Sequence, residues 1–248
     1  MAIRDRVAVV TGSGQGIGEG IARHLALAGA VVVLNDIDEP RVAALCDELK
    51  ASGLKAGYFV GDVSSKAGAT GLVDYAMDNY SRLDILVNNA GIARDKWLIK
   101  MSEEDWDEVM RVNLKSQFLC TQAAAKPMME AGYGRIVNIG SRAWLGGAGQ
   151  ANYSASKGGV VSFTRSLALE FAKYQITANA VAPGLIDSPL FRSLSLENQE
   201  RLTKTVPVGR IGGPDEIGSA VAFFADDDSW YITGQVLYVC GGRSIGAY

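Results

Sequence analysis

The stretch "NIGSRAWLGGAGQANYSASK" (138–157) carries Ser141, Tyr153 and Lys157, and it contains neither a histidine nor a carboxylate. Tyr153 and Lys157 are four apart in a segment that reads as helix, so their side chains share one face. A free phenol ionises at about pH 10, too high for a base near neutrality. An ammonium close by stabilises the phenolate and draws that value towards working pH. Ser141 ends a neighbouring apolar run, where its hydroxyl can orient a substrate oxygen. The trio can move a proton on or off an alcohol oxygen, provided another group handles the hydride. Any helix can hold a tyrosine and a lysine at this spacing, so the pattern needs a second signal.

That signal is "TGSGQGIG" (11–18), which joins a strand-like run to a helical one. Glycines at 12, 16 and 18 permit a tight turn and close backbone approach, and the helix N-terminus offers amides to a pyrophosphate. The spacing is TGxxxGxG, and no GK[ST] follows as it would in a P-loop. Asp36 ends the second strand-like run, where a carboxylate accepts both ribose hydroxyls of an adenosine and repels a 2′-phosphate. Gln15 is neutral and no Arg or Lys lies in the loop, so NAD is expected over NADP. An oxidised nicotinamide would take the hydride, and its positive ring would also favour the Tyr153 phenolate.

Composition closes other routes. The formal charge is −3 with Lys and Arg scattered among Asp and Glu, so no basic stripe suits nucleic acid. Apolar runs such as "AVVVL" are too short to span a bilayer, and the start "MAIRDRVAVVTG" has no signal-peptide core. Cys46, Cys120 and Cys240 form no CxxC pair, as in a reduced cytoplasmic protein. The single histidine, His24, lies beside the apolar face of Ile17, Ile21 and Leu25, which suits a structural role. A Ser-His-Asp hydrolase or a zinc site would have no other imidazole to use.

The elements that must position these groups alternate from end to end. Strand-length runs occur at 7–12, 31–36, 56–63, 84–91, 135–141, 177–184 and 235–239, with helical stretches such as 41–53 and 152–174 between them. The runs are rich in Val and Ile without polar alternation, as in strands buried on both faces. This rhythm predicts an α/β fold: one domain over 1–248, a doubly wound parallel sheet with helices on both faces. The polar and glycine residues cluster where strands should end, which is where such sheets bind ligands.

The stretches "TGSGQGIG", "GDV", "DILVNNAG", "RVNLKSQF", "RIVNIGS", "YSASK", "AVAPGLIDSP" and "ITGQVLYV" occur in that order. By them the chain resembles, over essentially its whole length, the short-chain dehydrogenases/reductases in their shorter single-domain subgroup. The resemblance implies a Rossmann-type seven-stranded parallel sheet and, commonly, a homotetramer built through the two long helices and the last strand. It implies Tyr153 as acid/base, Ser141 as the substrate-orienting hydroxyl, and Lys157 as the residue that holds the nicotinamide ribose. Asn113 is similar to the family asparagine that supports a water relay to the lysine. Cofactor contacts are implied for Gly12, Gln15, Gly16, Ile17, Gly18, Asp36, Asp62, Val63, Asn89 and Gly91. Ile186 should set its backbone against the carboxamide, with the Ser188 hydroxyl nearby.

Three departures from the family stand out. The gap from Ser141 to Tyr153 is one residue shorter than usual, Ser188 replaces a frequent threonine, and Cys240 replaces the aspartate of "VDGG". Substrate choice is expected from the loop 142–150 and a lid-like segment 188–205. There Trp144, Leu145, Leu190 and Phe191 suggest an apolar or aromatic pocket, and Arg142 is a candidate for a carboxylate. The stretch "GIARDKWLIKMSEEDW" is similar to 3-oxoacyl-carrier-protein reductases, which usually take NADPH and meet their acidic carrier with basic residues. Asp36 and Glu130 argue against that assignment. The expectation is therefore an NAD(H)-dependent enzyme for a secondary alcohol and its ketone, with a 3-oxoacyl-carrier-protein or -CoA reductase as the alternative. A non-catalytic dinucleotide-binding protein would be expected to lack part of the set Asn113, Ser141, Tyr153 and Lys157.

Overall fold

The computed structural model describes residues 3–244, and the side chain of Leu190 lies outside the described residues. Seven strands form one sheet: β1 (Val7–Thr11), β2 (Val31–Asp36), β3 (Ala56–Val60), β4 (Ile85–Asn88), β5 (Gly134–Ile139), β6 (Ile176–Pro183) and β7 (Val236–Val239). All pairings are parallel, in the order β3-β2-β1-β4-β5-β6-β7. The strand order reverses direction between β1 and β4, which opens a crevice at their carboxyl ends.

The helices α1 (Gly16–Leu27), α2 (Glu39–Ala51), α3 (Lys66–Tyr80), α4 (Glu103–Met110), α5 (Ser116–Ala131), α6 (Ala151–Phe171), α7 (Pro189–Arg192), α8 (Leu196–Thr203) and α9 (Pro214–Ala225) complete the domain. Alternation along β1 separates two cores. Ala8 and Val10 pack with Ile21 and Leu25 of α1 and Ile217 and Val221 of α9. Val7 and Val9 pack on the opposite face with Leu72 of α3, Met128 of α5 and Leu167 of α6. Strands covered on both faces explain the absence of polar alternation. His24 lies where α1 meets Gly218 of α9, at a close helix crossing remote from the strand ends.

Five strands end sooner than their apolar runs predict, β3 and β4 by the most, three residues each. β3 stops at Val60 and β4 at Asn88, so "GDV" and "NAG" leave the sheet and become its ligand-facing edge. The helix expected over 152–174 runs from Ala151 to Phe171 and tightens into a 3₁₀ turn over Ala172–Tyr174. Between α4 and α5 the backbone widens into a π turn at Arg111–Lys115, and Asn113 sits at its centre. Such bulges recur at functional sites because they re-aim side chains within a continuous helix. The segment expected to be lid-like, 188–205, folds as α7 and α8, each begun by a serine cap, Ser188 and Ser195.

Candidate active site

The glycine loop leaves β1 at Gly12, whose φ of +62° places it in the left-handed region. A Cβ on Gly18 would overlap the Gly12 carbonyl oxygen, so α1 starts closer to the loop than any side chain allows. Gln15, the residue before α1, makes no side-chain cap, and its Oε1 accepts from Arg41. The first amides of α1, at Gly16, Ile17 and Gly18, are therefore not used by a side-chain cap. Asn89 Nδ2 donates to the carbonyl oxygens of Thr11 and Gly12, each at 2.9 Å, and so ties β4 to the loop.

Asp36 seats one carboxylate oxygen on the Gly14 amide at 2.9 Å and the other on the Ile37 amide at 2.8 Å. A Cβ on Gly14 would stand 2.8 Å from that carboxylate, so the glycine keeps the approach open. Asp62 is held by the Ser64 amide at 2.9 Å and by Arg111 Nη1 at 3.1 Å. Burial works against its ionisation, but the Ser64 and Arg111 hydrogen bonds prevail and hold its pKa below the ordinary value. Val63 beside it is buried in the core under α3. A loop stripped of Cβ atoms, free helix amides and an acid at the end of β2 together fit a dinucleotide. The sequence missed Arg41, which α2 carries back to Gln15 and Gly14 while it pairs with Asp38 at 3.0 Å.

Tyr153 and Lys157 project from one face of α6, with Lys157 Nζ 5.7 Å from the Tyr153 ring centroid. Lys157 is buried, and its Nζ donates to the Ile139 carbonyl oxygen at 2.8 Å. Ser141 adopts an extended backbone, and its Oγ accepts from the Ala143 amide at 3.1 Å, which starts a 3₁₀ turn over Arg142–Leu145. That turn takes up the shortened gap, and the Ser141 hydroxyl reaches the Tyr153 phenol. The geometry answers the departure in loop length: the three groups still meet.

Asn113 is fully buried and fixes this arrangement with its side chain. Its Oδ1 accepts from the Ile92 amide at 2.7 Å, and its Nδ2 donates to the Ile92 carbonyl at 2.9 Å and to Ser156 Oγ at 3.2 Å. Ser156 Oγ in turn donates to the Tyr153 carbonyl at 2.7 Å. Gly91 lies beside this clamp; a Cβ there would sit 3.2 Å from Asn113 Oδ1 and 3.7 Å from Lys157 Nζ. Deeper down, Asn88 donates to Asn138 at 2.8 Å and to Thr121 at 3.1 Å, while Asn138 donates to Thr164 at 2.9 Å. This buried network ties β4, β5, α5 and α6 together, although Asn88 Oδ1 is left without a partner.

Burial dominates the electrostatics. It brings the Lys157 pKa down to about 8, so the ammonium is still charged at neutral pH. Burial also pushes the Tyr153 pKa up; the Ser141 hydrogen bond opposes it and the Asp95 carboxylate adds to it. One of the three Lys157 N–H donors goes to the Ile139 carbonyl, and burial, Ser141 and Asp95 set the balance at Tyr153 within the chain. The sequence also missed Asp95, which lies on the irregular segment after β4, where no periodicity marks it. Gln150 Nε2 holds the Asp95 carboxylate at 2.7 Å.

On the substrate side, Trp144 stacks on Tyr238 of β7 with ring centroids 6.4 Å apart. Leu145 is half exposed and Phe191 of α7 is buried. Leu190 falls on α7, with its side chain outside the described residues. Ile186 bridges Gly212 through the flanking amides, Gly212 to Leu185 at 2.9 Å and Asp187 to Gly212 at 2.8 Å. Its own N–H and C=O therefore face the other way. Ser188 Oγ accepts from the Phe191 amide at 3.3 Å as the cap of α7, and Ser188 lies beside Gly16 of the glycine loop. Cys240 is buried against Gly184, where an added Cβ would stand 2.7 Å from the cysteine Cβ, and nothing in the structure explains the cysteine in place of aspartate.

A family profile described as enoyl-(acyl carrier protein) reductase matches residues 12–244. The chain is 51% identical over 247 residues to the (2S)-[(R)-hydroxy(phenyl)methyl]succinyl-CoA dehydrogenase subunit BbsD of Thauera aromatica, with 100% of each chain covered. It is 41% identical over 243 residues to the 3-oxoacyl-[acyl-carrier-protein] reductase FabG of Escherichia coli (strain K12), with 98% of each covered. A solved structure of a candidate gluconate dehydrogenase from Agrobacterium tumefaciens superposes with a TM-score of 0.95 at 37% identity, covering 98% of this chain and 97% of that one. Similarity that runs from end to end, on the same parallel sheet, leaves one conclusion: the chain belongs to the short-chain dehydrogenase/reductase family and is an oxidoreductase of CH–OH groups.

Proposed function

We propose that the protein is an NAD(H)-dependent enzyme that interconverts a secondary alcohol and a ketone within an acyl thioester. The observation that carries this reading is the convergence of Ser141, Tyr153 and Lys157 at the end of β5, with Asp36 seated at the glycine loop. Both relatives named above act on acyl thioesters by their names, one a CoA ester and one a carrier-protein ester. We favour the CoA ester. The approach to β5 carries Glu130, paired with Lys126 at 3.9 Å, which offers an acidic carrier protein little attraction.

When bound, the nicotinamide supplies the acceptor or donor of hydride. The chain supplies the rest. Ser141 orients the substrate oxygen, and Tyr153 Oη takes the alcohol proton during oxidation or returns it during reduction. The phenol is protonated near neutral pH, so reduction starts from the form that holds the proton to be given. Lys157 and Asn113 flank Gly91, where the nicotinamide ribose would lie.

Two further expectations belong to this proposal. Self-association through α5 and α6 is supported by an open groove lined by Met110, Leu114, Phe118 and Phe163, and by the exposed Leu169. A cytoplasmic setting is supported by Cys46, Cys120 and Cys240, all unpaired and buried. Among the described residues no helix is long and apolar enough to cross a membrane.

The test is NADH oxidation with a panel of aliphatic and aryl 3-oxoacyl-CoA esters, run on wild type and Tyr153→Phe. Removing the acid/base should lower kcat by about 10²–10⁴-fold while NADH binding, read by fluorescence, stays within a few-fold. Unchanged turnover in the variant would remove Tyr153 from the chemistry.

A further inference from the structure

The 3₁₀ turn that follows Ser141 points an unusual set of groups at the end of β7. Arg142 is half-buried, and its Nε is shielded from solvent without a hydrogen-bond partner. Trp144 Nε1, two residues on, is likewise shielded and unpartnered while its ring stacks on Tyr238. Beyond β7, Arg243 donates through Nε to Thr205 Oγ1 at 2.7 Å, and the neighbouring Ser244 Oγ is a third shielded atom without a partner. Arg142 lies close enough to Arg243 for its charge to act on that guanidinium. Among the described residues neither arginine is paired with a carboxylate, whereas Arg192 and Arg210 each hold one at 2.6 Å and 2.8 Å.

These facts are costly for the protein alone. Two guanidiniums drawn together repel, and a buried N–H without an acceptor forfeits its hydration. The orphaned groups here are donors, since guanidinium and indole N–H cannot accept and the serine hydroxyl can donate. An anion with several acceptor oxygens relieves both costs, and a planar carboxylate matches the guanidinium fork. The place narrows the choice further. Arg142 follows Ser141 directly and opens the 3₁₀ turn that Ser141 caps, so an anion held there lies next along the chain to the hydroxyl that orients the substrate oxygen.

We propose that Arg142 and Arg243 form a carboxylate-binding subsite, so that the acyl thioester carries a second, free carboxylate near its reacting carbon. Trp144 and Tyr238 form a flat aromatic wall beside it. This inference rests on the thioester reading for its substrate, while the anion site itself rests on the arginines alone.

The test separates the two. Two 3-oxoacyl-CoA esters are compared that differ only in a terminal carboxylate or its methyl ester, with wild type, Arg142→Met and Arg243→Met. In parallel, phenylsuccinate and its dimethyl ester are titrated by calorimetry against the same proteins. Wild type should prefer the acid over the ester by about 10–100-fold in kcat/KM, as a charge-assisted hydrogen-bond pair would give. That ratio should collapse towards one in Arg142→Met and fall in Arg243→Met. Phenylsuccinate, but not its diester, should bind wild type and lose at least tenfold in affinity in Arg142→Met. The melting temperature should hold or rise in Arg142→Met, which removes one of two repelling charges, while in Arg243→Met the lost bond to Thr205 offsets that gain. Arginine-dependent phenylsuccinate binding with no turnover of either thioester would support the subsite and sink the thioester reading. A wild-type acid/ester ratio near one, or phenylsuccinate binding unaltered by both substitutions, would overturn the subsite.

Discussion

Lys157 Nζ donates to the Ile139 carbonyl oxygen at 2.8 Å, so the buried ammonium is anchored to the end of β5 and not to the Tyr153 phenol. Its pKa of about 8 lies below the ordinary 10.5 because burial penalises the charged form. Between these values the unfolded chain holds a proton that the folded chain has released. Stability from this group therefore rises as pH climbs from about 8 towards 10.5, and below 8 the full cost of burying the charge is present. The difference corresponds to about 3 kcal/mol at most. Lys157→Met also loses the bond to Ile139, but that loss does not depend on pH. Wild type should thus gain stability relative to Lys157→Met as pH rises from 8 to 10, read by urea denaturation. A difference that stays flat over this range would show that Lys157 is not carrying a buried charge.

Much of this site is legible in the sequence because parallel strands put their chemistry at one end. "TGSGQGIG", Asp36, "NNAG", "IGS" and "APG" each follow or close a strand run, and the sheet order gathers them along one edge. Tyr153 and Lys157 are legible because helical spacing fixes their shared face. Long-range returns are not legible. Arg41 reaches the loop because the first turn of α2 folds back over it, and Asp95 reaches Tyr153 from a segment without periodicity. The burial of Tyr153 is likewise not legible, since it depends on how α6 packs against the rest of the fold.

Asp36 and Arg41 set up a competition at the adenosine end. Asp36 points a carboxylate held by the Gly14 amide, while Arg41 stands beside the same glycine in partnership with Gln15 and Asp38. Like charges brought together at a binding site cost several kcal/mol. Removing the carboxylate in Asp36→Ala should therefore raise the NADPH/NADH ratio of kcat/KM by about 10²-fold, with Arg41 ready for the phosphate. Adding Arg41→Ala should undo most of the gain. The loss of Asp36 also leaves the Gly14 amide without its acceptor, so the melting temperature should fall modestly. A ratio unmoved by Asp36→Ala would mean that Asp36 does not select the cofactor.

Asp95 is the charged group that acts on the acid/base, after burial and Ser141. Its carboxylate raises the Tyr153 pKa, and Gln150 holds it in place at 2.7 Å. In the oxidative direction the phenol must first lose its proton, so the rising acid limb of kcat/KM for alcohol oxidation reports that ionisation. Asp95→Asn keeps the shape and the hydrogen bond but removes the charge. The limb should move to lower pH, and oxidation near neutrality should speed up relative to wild type. Asp95 is exposed, so its field on Tyr153 is open to screening. In about 1 M salt the Debye length falls to roughly 3 Å, and the profiles of wild type and Asp95→Asn should draw together. Gln150→Ala frees the carboxylate from its anchor and should shift the limb in the same direction by a smaller amount. A limb that does not move in Asp95→Asn, or a shift that persists unchanged in high salt, would leave control of the phenol to burial and Ser141.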